Sequence, residues 1–98
     1  MSEQVLDLTA ENFDETVKSG VTLVDFWAPW CGPCQMQTPI LEKQVAPAMS
    51  GRAKICKVNV DEAQDLAARY GVRGIPAIFL FKDGEVVQQF TGLERGDA

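Results

Sequence analysis

The stretch Val21-Thr22-Leu23-Val24-Asp25-Phe26-Trp27 constrains this chain more than any other. Six of its seven side chains are β-branched, aliphatic or aromatic. A strand with one wet face alternates apolar and polar residues; a run this uniform predicts a strand covered on both faces, and hence a sheet with helices on either side. Its one charge, Asp25, is then a carboxylate placed where ionisation is costly.

The rest of the chain supplies the partners such a strand needs. Val5 to Leu8 reads as a short strand. Thr9 is placed to cap a helix, with Glu11 in its first turn, Phe13 and Val17 on one face, and Gly20 as its stop. After Trp27, the residues Pro29, Trp30 and Gly32 interrupt the strand pattern. A helical pattern is expected from about Cys34, with Met36, Ile40, Leu41 and Val45 as its apolar stripe, a kink at Pro39 and an end near Pro47 and Gly51. Ile55, Val58 and Val60 predict a third strand. Asp61 and Gln64 resemble a capping box for a helix running from Leu66 to Tyr70 and closed by Gly71. Ala77 to Phe81 is a fourth, central-type strand, and Asp83-Gly84 a hairpin turn into a returning strand, Glu85 to Thr91. The order βαβαβαββ implies an α/β fold whose parallel strands end in an antiparallel hairpin.

Length and composition remove several functions. A chain of 98 residues is expected to form one domain, 1–98, with a small core. The net charge of −5, with no run of Lys or Arg, argues against nucleic acid as a partner. The longest apolar stretch, Ala77 to Phe81, is far too short to span a bilayer. The opening Met1-Ser2-Glu3-Gln4 lacks the features of an export signal, so a cytoplasmic location is expected. The chain has no histidine. That excludes a Ser-His-Asp triad, a Cys-His pair and a His-ligated metal. Its three cysteines are too few for a four-thiolate zinc site and are odd in number for a structural disulfide framework.

Two of those cysteines carry the chemistry. Cys31-Gly32-Pro33-Cys34 lies between a buried strand and a helix. Residues three apart on a helix share a side, with Cβ atoms about 5–6 Å apart, so the pair can open and close a disulfide without unfolding the chain. Unpaired N–H groups and the positive dipole end at a helix start stabilise a thiolate, the form that attacks a disulfide. Pro33 suits an early helical position, and Gly32 leaves the backbone beside Cys31 uncrowded. A static bridge is the plainer alternative, but a solvent-facing loop favours a reactive one. Cys56 stands apart from the motif and reads as a small packing residue.

The motif Trp30-Cys31-Gly32-Pro33-Cys34, with Val24-Asp25-Phe26-Trp27-Ala28 before it and Lys57-Val58-Asn59-Val60-Asp61 and Gly74-Ile75-Pro76 after it, resembles the thioredoxin family over nearly the whole chain. The resemblance implies the thioredoxin fold, a central mixed sheet flanked by helices. It also implies a disulfide reductase that needs no cofactor of its own, with a flavin-dependent thioredoxin reductase and disulfide-containing proteins as its partners. By that resemblance Cys31 is the nucleophile and Cys34 the resolving thiol. Asp25 takes the Cys34 proton, in keeping with the raised pKa that burial gives a carboxylate. Lys57 tunes Asp25, and Gly32 and Pro33 set the redox potential. Pro76 matches a cis-proline that leaves the Ile75 backbone open to an extended target segment. Trp30, Gly74, Ile75, Thr91 and Gly92 match positions around that groove, and Trp27 a core tryptophan beside it.

The chain departs from the family pattern in three places. A final amphipathic helix is missing or truncated, since Gly92 to Ala98 stands near where it would begin; one sheet face is then expected to lose cover, lowering stability or promoting association. Gln35 stands where a basic residue is common, and Thr91 where an apolar one is. Two other roles fit the same fold: a binding subunit without turnover, and a disulfide isomerase or oxidant. The intact cysteine pair disfavours the first, and Gly32-Pro33, by resemblance, the second.

Overall fold

The computed structural model describes residues 5–49 and 51–92. Five strands form one mixed sheet in the order β1-β3-β2-β4-β5: β1 (Val5–Leu8), β2 (Val21–Trp27), β3 (Lys54–Asn59), β4 (Ala77–Lys82) and β5 (Glu85–Thr91). β3 runs parallel to both of its neighbours, β1 and β2, whereas β4 pairs antiparallel with β2 and with β5. β2 therefore lies at the centre, as its apolar run requires.

One face of the sheet packs Phe26, Val24, Val58, Phe79 and Phe81 against Phe13 and Val17 of α1 (Phe13–Val17) and Leu66 of α4 (Gln64–Arg69). The opposite face packs Val5 and Ile55 against Leu41 and Ala46. Leu41 belongs to a long helical segment made of α2 (Gly32–Ile40), a π-helical turn (Leu41–Val45) and α3 (Ala46–Met49), the last of which holds Ala46. The chain is thus an α/β/α layered molecule with the mixed sheet between helices, the thioredoxin fold expected from its sequence.

Several local expectations are corrected. α1 begins at Phe13, not after Thr9: the Asn12 side chain accepts from the Thr9 N–H at 2.7 Å, which closes a turn ahead of the helix. Glu11 lies in that turn, and the first-turn acids are Asp14 and Glu15. Gly20 does follow the helix, at φ +74°. α2 starts two residues before Cys34, so Met36 falls on the outer side and is exposed, while Cys34 and Gln37 point inward. Pro39 does not simply kink the helix. It removes an N–H and crowds the preceding turn, and the turn after it widens: the Ala46 N–H bonds the Leu41 carbonyl, five residues back. Pro47 lies inside α3, and the segment ends at Met49. β3 stops at Asn59, one residue short of Val60.

The hairpin follows its sequence signal, with Asp83 at φ +50° and Gly84 at +89° between β4 and β5. Every residue of β5 is exposed, Val87 and Phe90 among them. Among the described residues no helix follows β5, and residues 93–98, on which the expectation of a shortened final helix falls, lie outside those described. No helix among the described residues is long and apolar enough to cross a membrane.

Candidate active site at the carboxyl end of the central strands

β2 and β3 end side by side, joined by the Val60 N–H on the Trp27 carbonyl at 2.9 Å. The carboxyl ends of parallel strands are where α/β sheets place their sites. From Trp27 the chain turns through Ala28, Pro29 and Trp30, with the Cys31 N–H on the Ala28 carbonyl at 3.1 Å, and enters α2.

Cys31 is the N-cap of that helix, with extended backbone, and not a helical residue as its spacing from Cys34 suggested. Cys34 sits within the first turn. The two form a disulfide with Cα atoms 5.2 Å apart, inside the ordinary range. The Cys34 N–H points at the Cys31 sulfur at 3.1 Å. This is the contact that favours a thiolate at position 31 once the bond is reduced: a free helical N–H and the helix dipole both face the sulfur. Pro33 occupies the first turn without losing a bond, and a Cβ on Gly32 would meet only open space. Cys34 is fully buried, and Cys31 keeps a 5% opening to solvent. Of the two residues, Cys31 is the one nearer to solvent.

Three further segments converge here. The Ile75–Pro76 peptide bond is cis. The Ile75 carbonyl oxygen lies 3.7 Å from the Cys31 sulfur, although the two residues are 44 apart in the chain. The Gly92 N–H donates to the Pro76 carbonyl at 2.8 Å, and a Cβ on Gly74 would touch the Thr91 methyl at 3.4 Å. Gly74, Ile75, Pro76, Thr91 and Gly92 therefore lie together. Trp30, next to Cys31 in the chain, projects into solvent, its indole N–H donating to the Asp61 carboxylate at 3.0 Å. Asp61 thus forms no capping box: α4 is preceded by Ala63 without a side-chain cap, and the carboxylate holds the tryptophan instead. Gln35, on the outer side of α2, donates to the Pro29 carbonyl at 2.8 Å and stiffens the same loop.

Asp25 lies on β2, two residues before Trp27, fully buried. Neither of its oxygens has a hydrogen-bond partner among the described residues. Burial pushes its pKa up from 3.8 to about 7, with the Lys57 charge pulling the other way. Lys57 is its direct neighbour on β3, with the ammonium 5.1 Å from the Trp27 ring and 3.8 Å from Asp7 on β1. Nothing local in the sequence marks Asp7; only the pairing of β1 with β3 puts it beside Lys57. Cys56 is buried away from the disulfide with its thiol pushed up to about 11 by burial, which leaves it unreactive near neutrality.

A closed Cys-X-X-Cys disulfide at the start of a helix, at the carboxyl end of a layered α/β sheet, defines a thiol–disulfide exchange protein. Comparison with known proteins gives the same class. The Thioredoxin family model matches residues 4–98. The thioredoxin of Pseudomonas aeruginosa is 50% identical over 88 residues, covering 88% of this chain and 81% of that relative. The thioredoxin of Staphylococcus haemolyticus is 48% identical, covering 92% and 86%, and that of Bacillus subtilis 44%, covering 96% and 89%. The chain belongs to the thioredoxin family.

Proposed function

We propose that the chain is a protein-disulfide reductase that works as a single cytoplasmic domain and is recycled by a flavin-dependent thioredoxin reductase. The observation that carries this reading is the Cys34 N–H aimed at the Cys31 sulfur, because it favours the attacking thiolate.

In the reduced protein the Cys31 thiolate attacks one sulfur of a target disulfide. The target S–S bond breaks, one target thiolate leaves, and a mixed disulfide joins the two proteins. Cys34 then loses its proton and attacks the Cys31 sulfur. The mixed disulfide breaks, the second target thiolate leaves, and the Cys31–Cys34 bond closes. Two electrons have passed from the dithiol to the target, and no cofactor on this chain takes part. Asp25 is the acceptor of the Cys34 proton, through water; an acid that titrates near 7 can hold and release a proton at neutral pH. Lys57 adjusts that affinity, and Gly32 and Pro33 set the potential of the pair. The segment Gly74-Ile75-Pro76, with Trp30, Thr91 and Gly92 around it, receives an extended stretch of target by backbone pairing at Ile75. Neither nucleic acid nor membrane enters this role.

The test is insulin disulfide reduction coupled to NADPH through thioredoxin reductase. Turnover is expected with the native chain and is lost in both Cys31→Ser and Cys34→Ser. A folded native chain without turnover would replace this reading with that of a binding module.

A further inference from the structure

Asp7, Lys57 and Asp25 occupy one row across three adjacent strands, since Asp7 pairs with Lys57 and Lys57 with Asp25 in the parallel registers of β1-β3 and β2-β3. Residues in register on neighbouring strands point to the same face, so one ammonium stands between two carboxylates. The row runs from water to core: the Asp7 side chain is 58% exposed, that of Lys57 15%, and Asp25 is closed off. Among the described residues the ammonium has an ion pair within 4 Å with Asp7 alone. The ammonium also lies over the Trp27 ring, 5.1 Å from its centroid. A flexible four-carbon stem lets the charge lie nearer one acid or the other.

We propose that Asp7 is a positioning residue: its carboxylate draws the Lys57 ammonium toward solvent and withholds it from Asp25, so that Asp7 sets the proton affinity of the buried acid from the far side of the lysine.

The charged groups facing Lys57 are Asp7 from β1 and Asp25 from β2. On β4, Asp25 meets the apolar Ile78. The buried residues of the helical layer over this face are Cys34, Gln37, Leu41 and Ala46, of which Cys34 alone titrates, and only once reduced. A cation close to Asp25 favours its ionised form, so drawing that cation away favours the protonated one, and the negative charge of Asp7 acts in the same direction. Neutralising Asp7 reverses both effects.

The inference deepens the reading of Asp25 as proton acceptor and rests on it for its consequence in turnover. The experiment follows the Asp25 carboxyl carbon by NMR against pH in the oxidised protein, where Cys34 does not titrate. Asp7→Asn is near-isosteric at an exposed position. It is expected to lower the Asp25 midpoint by roughly 0.3 to 0.7 pH unit, the scale of a partly screened pair, and added salt shrinks the shift. In a Lys57→Met background the same substitution is expected to move the midpoint by less than half as much. An unchanged midpoint in Asp7→Asn, with or without a change in Tm, overturns the proposal, and so does an equal shift in the Lys57→Met background. If the midpoint moves while the pH profile of mixed-disulfide resolution does not, the positioning role stands and Asp25 is not the proton acceptor.

Discussion

Asp25 and Cys31 owe their chemistry to opposite surroundings. Asp25 lies among apolar side chains that raise its pKa to about 7, whereas the Cys31 sulfur receives a helix N–H that stabilises negative charge. On the proposed mechanism, resolution of the mixed disulfide speeds up as pH rises through about 7, because only ionised Asp25 accepts a proton. Asp25→Asn removes that acceptor. We expect resolution near neutrality to slow on the order of 10²-fold, the low end for a lost general base, and the inflection near 7 to vanish. Stopped-flow measurement of target release across pH checks both, and an inflection that persists in the variant removes Asp25 from the mechanism. A lone acid in an apolar strand was visible in the sequence. Asp7, two strands away beyond Lys57, was not, because nothing in Val5 to Leu8 says which strand lies alongside.

Among the elements, the aromatic cluster holds α1, α4 and the sheet together. Phe13 of α1 meets Phe81 of β4 edge-on at 5.7 Å, Phe26 of β2 meets Phe79 at 5.3 Å, and Tyr70 at the end of α4 meets Phe81 at 5.4 Å. Phe26→Ala is expected to cost about 3–5 kcal/mol, the loss of a buried ring plus the cavity it leaves. Phe90→Ala on β5, where the ring is 39% exposed, is expected to cost less than about 1 kcal/mol. Urea midpoints at constant slope measure both; similar losses would mean that the β5 face is covered in solution. The strands were legible from their apolar runs, and β2 and β5 have the expected bounds. Helix starts were less so: Thr9, Cys34 and Asp61 each suggested a boundary that neighbouring groups displaced. Asn12 caps the turn before α1, Pro33 draws the start of α2 back to Gly32, and Trp30 takes the carboxylate of Asp61.

Across the whole molecule, Asp25 links folding to pH. Its pKa is higher in the folded chain than unfolded, so the folded state binds the proton more tightly. Relative to a neutral residue, Asp25 causes no loss of stability below about 3.8. Stability then falls as pH rises toward about 7 and is lower by a constant amount above it. Three pH units correspond to about 4 kcal/mol, as an order of magnitude. Asp25→Asn is therefore expected to raise the urea midpoint at pH near 8 and to have little effect near pH 4. An equal gain at both would show that packing, not ionisation, is responsible. The other charge pairs, Lys18–Glu15 and Arg69–Asp14, lie at the surface, where such contacts contribute little.

What the amino-acid sequence determined by itself is local: the doubly covered strand, the Asp83-Gly84 hairpin, and a cysteine pair at a helix start with proline in its first turn. Each follows from steric preference and hydrogen bonding among residues a few positions apart. Tertiary structure alone decided the rest. It set the Ile75 carbonyl against the Cys31 sulfur, the Asp61 carboxylate against the Trp30 indole 31 residues away, and the row of Asp7, Lys57 and Asp25 across three strands. Those contacts depend on strand register, and register is set by hydrogen bonds and packed faces between segments far apart in the chain.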